Sequence, residues 1–171
     1  VDLRSATSAP LALMNSEQVV IVLADNSANY IEDAASYVFL DVEAEEPSAA
    51  LFSNDDLTIT GNGSLAVTGN YNDGISSDDG IIIESGNITV TAVDDGIRGK
   101  DFLAIEDGVL TVNAGDDGLK SDNEDDAELG YIAVEGGTIT VTAGGDAITA
   151  QTDVLITGGT FALASGGGSG E

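Results

Sequence analysis

The sequence predicts an all-β chain wound as a right-handed parallel β-helix, with about 22 residues and three short strands per coil. Three observations predict it. The first is a repeated unit: "LTITGNGSLAVTG" from 57, "IIIESGNITVTA" from 81, "LAIEDGVLTVNA" from 103, "IAVEGGTITVTA" from 132 and "VLITGGTFALAS" from 154 share one grammar. The glycines before the second run, Gly63, Gly86, Gly108, Gly137 and Gly159, lie 22 or 23 residues apart, except for one interval of 29 that "NEDDAELG" at 123–130 explains as an inserted acidic loop. The second is alternation of apolar with small or polar residues inside each run, the period of a strand, with glycine turns between runs. The third is that no segment of useful length after residue 50 carries a helical period.

Each coil then has three strands in order. Leu57 and Ile59, Ile81 and Ile83, Leu103 and Ile105, and Ile132 and Val134 mark the first; Leu65 and Val67, Ile88 and Val90, Leu110 and Val112, and Ile139 and Val141 mark the second. A short third strand centres on Ile75, Ile97, Leu119 and Ile148, and these residues stack in interior columns. Residues 11–52 read as a looser first coil, with "VVIVL" at 19–23 as its first strand, Leu51 in its third, and "AASYVFLDVEAEEP" at 34–47 as an insertion of undecided structure. Regular coils occupy 53–165 and a Gly-rich tail 166–171, so 1–171 reads as a single domain. Leucine-rich repeats share this period, but their Asn-bearing consensus and returning helical turn are not present.

Composition narrows the chemistry. The 171 residues hold 4 Lys and Arg against 31 Asp and Glu, a formal net charge of -27, which excludes nucleic acid and anionic membrane surfaces as natural partners. With no Cys, His or Trp, disulfides, thiolate or imidazole metal sites and His- or Cys-based catalysis are excluded. No apolar run of spanning length occurs, so membrane insertion through a helix is not expected. A chain that begins at Val1 without Met or a signal-like segment reads as a processed product or a fragment, and abundant Gly, Thr, Asn and Asp with little Lys suit a secreted or cell-surface protein.

The period places carboxylates in register. Asp73, Asp95, Asp117 and Asp146 form a column, Asp94 and Asp116 sit beside it above Asn72, and the next turn adds Asp78, Asp79, Asp101 and Asp122, with Asp125 in the acidic loop. At a strand spacing of ~4.8 Å and an effective dielectric of about 20, two ionised carboxylates repel by roughly 3–4 kcal/mol before screening. Simple solvation of turn aspartates does not explain their recurrence on neighbouring coils. Two agents can offset the repulsion: calcium (Ca2+), a hard cation that takes six to eight oxygens, and the chain's own Arg98 and Lys120, which share one position on adjacent coils, with Lys100 close by. The loop from Asp122 is no EF-hand, since Ala127 and Ala133 stand where its Gly and closing Glu belong. The secreted-toxin calcium nonapeptide fails on period.

The phrases "AALFSNDDLTITGNGSLAVTG", "DDGIRGKD", "GDDGLKSDNEDD" and "GYIAVEGGTITVTAGGDAITAQTDVLITGGTFALASGGG" resemble a family of bacterial cell-surface β-helix carbohydrate-binding domains, from about residue 7 over most of the chain. The resemblance implies a calcium-containing β-helix, similar in shape to pectate lyases, that binds acidic sugars such as polygalacturonate, and cellulose, without demonstrated catalysis. Family members have further coils before the point matching Val1, and an uncovered first coil invites end-to-end self-association. "GDA" at 145–147 replaces the expected "DDG", which weakens the metal case at Asp146.

The expected function is therefore a non-catalytic module in which calcium and Arg98, Lys100 and Lys120 engage the carboxylates of an acidic polysaccharide. A structural or adhesive surface module, stacking into fibres with calcium, is the alternative. A calcium-dependent polysaccharide lyase is a further one, and needs Arg98, Lys100 or Lys120 as base with a strongly lowered pKa. The threonine runs Thr89–Thr91 and Thr138–Thr140–Thr142 are explained by strand propensity. Tyr30, Tyr37, Tyr71 and Tyr131 stand in different sequence contexts and predict no stacking platform.

Overall fold

In the computed structural model, which describes residues 1–39 and 46–166, every regular element is a β-strand and every strand pairing is parallel. The strands form three sheets that the chain visits in turn, the winding of a right-handed parallel β-helix. One regular coil runs Leu57–Gly61, Ser64–Gly69, Asp73–Ser77 and then climbs to Gly80–Ile83, stacked on the strand it started from. Taken in that order, the first, second and third sheets contain six, seven and six strands.

Register carries the predicted columns. In the second sheet Leu65, Ile88, Leu110, Ile139 and Phe161 pair in succession; in the third, Leu51, Ile75, Ile97, Leu119 and Ile148 do. Leu51, Ile75, Ile88, Ile97, Leu110, Leu119 and Ile139 are fully buried, and each such side chain contributes about 1.5–3 kcal/mol by leaving water. On the second sheet buried and outward residues alternate, as in Asn87–Ala92 and Thr138–Ala143, which is why period two is legible in the sequence.

Three details add to the sequence reading. The ladder already includes Asp2–Arg4, paired with Tyr30 to Glu32, and Leu11–Leu13, paired with Leu51 to Ser53, so stacking starts ahead of residue 11. These strands are three residues each, too short for periodicity to be read. Gly63 keeps the register of Gly86, since Ser64 pairs with Asn87, while the left-handed φ of the first regular coil falls at Gly61 (108°); Gly86, Gly108, Gly137 and Gly159 take that conformation in the later coils. The insertion at 34–47 is described only in part, as 40–45 of it, like 167–171 of the Gly-rich tail, lie outside the described residues.

Candidate metal centre

The turn from the second sheet to the third is where the doubled aspartates fall, and backbone packing dictates the glycine after them. A Cβ on Gly96 would lie 2.3 Å from Val112 Cγ1 and 2.6 Å from the Gly118 carbonyl oxygen, and Gly118 meets the same crowding from Val141 and Ala147. Each turn is thus pressed against the next, which aligns the aspartates. Asp73 Oδ1 accepts the Asp95 N–H (3.3 Å), Asp95 Oδ1 accepts the Asp117 N–H (3.0 Å), and Asp117 Oδ1 accepts the Asp146 N–H (2.8 Å). The column is a hydrogen-bonded ladder in which one oxygen of each carboxylate holds the coil above.

Asp94 and Asp116 complete two groups. Asp73, Asp94 and Asp95 each bring a carboxylate oxygen within 4.8 Å of the others, as do Asp95, Asp116 and Asp117, so Asp95 belongs to both triads. Asp73 and Asp95 are 3% exposed, Asp94 and Asp117 half-buried, and Asp116 exposed. Burial, then the Asp95 charge, pushes the Asp73 pKa up to about 7, with Arg98 pulling the other way. Burial also raises Asp95, opposed by its hydrogen bond to Lys120.

The basic residues divide their attention. Arg98 and Lys120 are register partners, but their side chains part. Lys120 Nζ lies 2.9 Å from Asp95 Oδ2 and 3.4 Å from Asp117 Oδ2, bridging the second triad. Arg98 turns away from the column: its Nε donates to Asp122 Oδ2 (2.9 Å), and a terminal nitrogen lies 3.5 Å from Ser76 Oγ. Lys100 makes no ion pair with any described residue; its carbonyl accepts the Asp122 and Asn123 N–H groups.

The remaining predicted ligands lie on the turn from the third sheet to the first. Burial and then the Asp101 charge raise Asp79, with Asp56, Asp55 and Asp78 adding to it. Asp101 accepts from the Asn123 side chain, and Asn123 Oδ1 accepts the Asp125 and Asp126 N–H groups, which fixes the start of the acidic loop. Among the described residues, Asp78, Asp79, Asp101, Asp122 and Asp125 do not converge in a triad like the two above. Asp122 Oδ1 is buried without a hydrogen-bond partner.

Sequence reasoning missed Asp33 and the aromatic residues around it. Asp33, 3% exposed, accepts the Asn70 N–H through Oδ1 and the Tyr37 hydroxyl (2.7 Å) through Oδ2. Burial, then this hydrogen bond, raises Tyr37. Tyr37 and Tyr71 stack at 4.1 Å and 17°, and Tyr131 stacks on Phe102 at 5.6 Å and 15°. The first pair joins an insertion to a turn, which no repeat signal encodes; the second follows from the register Phe102 to Tyr131.

The model of the family described as carbohydrate-binding domain-containing protein matches residues 1–171. The chain belongs to that family. A carbohydrate-binding domain-containing protein of Acetivibrio thermocellus is 42% identical over 92 residues, 54% of this chain and 32% of the relative, so the chain spans about a third of that relative's length. A solved structure, the polysaccharide lyase-like protein from C. thermocellum in a gadolinium derivative, matches with a TM-score of 0.86 and 35% identity over 96% of this chain and 71% of that one. Carbohydrate binding is thus what the description of this family names.

Proposed function

We propose that this chain is an extracellular, non-catalytic module that holds calcium on its aspartate ladder and binds acidic polysaccharide of the polygalacturonate type. The observation that carries the reading is the pair of carboxylate triads sharing Asp95, set into a rigid turn of a carbohydrate-binding family member. All the donors are hard oxygens, the set that Ca2+ prefers. The triad of Asp73, Asp94 and Asp95 suits the ion better, because Lys120 already places an ammonium between Asp95 and Asp117. Bound calcium would offset two of the three charges of that triad and offer open positions to a uronate carboxylate. Gadolinium, present in the derivative of the lyase-like neighbour, is likewise a hard cation, which is consistent with this preference.

Arg98, Lys100 and Lys120 retain N–H donors beyond those used internally, and these would reach sugar carboxylates. Two of these residues, Arg98 and Lys120, argue against elimination chemistry. Burial lowers Arg98, but the hydrogen bond and charge of Asp122 more than reverse it; burial lowers Lys120, but Asp95 and Asp117 raise it above its ordinary value. Both therefore stay protonated at neutral pH, where a lyase needs a neutral base.

The test is retention on immobilised polygalacturonate together with thermal unfolding. Millimolar calcium is expected to raise the melting temperature and support retention, and a chelator to abolish both. Undiminished retention in chelator, or a melting temperature indifferent to calcium, overturns the calcium reading. Sustained release of unsaturated product that disappears in Arg98→Ala overturns the non-catalytic one.

A further inference from the structure

The ladder has an aromatic foot that the repeat does not encode. Gly69 aligns with Ala92 while Ile75 aligns with Ile97, so the turn "NYND" at 70–73 contains one residue more than "VDD" at 93–95. The Asn72 carbonyl accepts the Asp94 N–H and the Gly69 carbonyl accepts the Val93 N–H, which leaves Tyr71 in the extra length. Tyr71 is 38% exposed, although one face of its ring is covered by Tyr37 and Phe39 meets it edge-on at 6.3 Å and 65°. Beneath it Tyr37 is fixed, its hydroxyl within reach of Asp33 Oδ2 and of the Ala49 carbonyl (3.1 Å). A rigid ring thus backs an outer ring that stands two residues from Asp73 and one from Asn72, whose carbonyl accepts the Asp94 N–H.

We propose that Tyr71 is a stacking platform for one pyranose ring of the bound polysaccharide, at the foot of the Asp73, Asp94 and Asp95 triad. This deepens the polysaccharide-binding reading above and rests on it. The aliphatic face of a pyranose fits an aromatic ring, whose electron-rich face attracts its C–H groups, while the sugar's polar edge stays free to face the carboxylate triad. The phenolic hydroxyl suits a wet, half-exposed position where leucine would serve packing as well.

The experiment compares wild type, Tyr71→Phe, Tyr71→Leu and, as a control on another sheet, Tyr131→Leu. Affinity for polygalacturonate and for cellulose is measured in calcium, alongside melting temperatures and the tyrosine difference absorbance on adding polysaccharide. Tyr71→Leu is expected to bind about three- to tenfold more weakly, with its calcium-induced melting shift intact and its difference spectrum flattened. Tyr71→Phe and Tyr131→Leu are expected to bind like wild type. Undiminished binding by Tyr71→Leu overturns the proposal and leaves the polysaccharide reading standing. Binding lost only in step with melting temperature, as a Tyr37→Leu protein would show, makes the cluster packing and also overturns it. A wild type that retains neither polymer refutes the polysaccharide reading, and this inference with it.

Discussion

Replacing Asp73 with Asn separates the two tasks of its carboxylate. In the fold its pKa is about 7 against an ordinary 3.8, chiefly through burial and then through Asp95. A difference of that size disfavours the ionised form by about 4 kcal/mol. Because the folded chain holds this proton more tightly than the unfolded one, stability falls as pH rises from about 4 to about 7, and the whole loss is present above the folded pKa. The carboxamide cannot ionise, and its oxygen still accepts the Asp95 N–H. In chelator near pH 8, Asp73→Asn should therefore melt above wild type, by at most roughly 8–16 °C at ~2–4 °C per kcal/mol for a chain of this size. Below about pH 4 the two should converge, with roughly 1.6 kcal/mol of the difference still present at pH 5. Calcium should raise the wild type more, since saturation at a hundred times Kd contributes about 2.7 kcal/mol and the variant has lost a ligand. Melting curves across pH, with chelator and with calcium, decide it. A variant less stable than wild type in chelator at high pH, or an equal calcium shift in both, refutes the reasoning.

Two other substitutions probe the same turn. Lys120→Met removes the ammonium between Asp95 and Asp117 and should lower stability by about 1.5–3 kcal/mol in chelator, with calcium restoring part of the loss; an equal deficit in both conditions shows that the ladder accepts no other cation in its place. Gly96→Ala should destabilise by about 1–3 kcal/mol or more, because its Cβ meets Val112 and the Gly118 carbonyl, and an unchanged denaturation midpoint contradicts this packing.

The architecture was legible because it is periodic. Alternation within strands and recurrence between coils place Ile75, Ile97 and Leu119, and with them Asp73, Asp95 and Asp117, one above another without reference to any side-chain detail. Periodicity also made Arg98 and Lys120 neighbours. It could not say that Arg98 would choose Asp122 while Lys120 chose Asp95, since each long side chain reaches carboxylates on both flanking turns and the choice is settled by distance. Asp33 and Tyr71 lay further beyond reach. Asp33 sits at the end of Ala28–Glu32, at the station of Gly69 and Ala92, where the repeat has no acidic residue. Tyr71 occupies an extra residue in a turn, and only the folded insertion reveals that Tyr37 lies against it.

The division of labour within each carboxylate bears on why the column is aspartate. Oδ1 of Asp73, Asp95 and Asp117 accepts a backbone N–H from the coil above, a task that asparagine performs equally and without the roughly 3–4 kcal/mol of repulsion between neighbours at ~4.8 Å. Asparagine also tolerates turn conformations as well as aspartate does, and the chain uses it at Asn72, beside the same column. A ladder needed only for stacking would therefore be expected to carry amides. Lys120 accounts for the charge on Asp95 and Asp117, but Arg98 is committed to Asp122, and Asp73 and Asp94 have no ion-paired base among the described residues. Carboxylates left without a base at this end of the ladder, next to the exposed Tyr71, are what a site that recruits a cation from solution requires. That is why the charge of Asp73, more than its hydrogen bond, is the property to remove first.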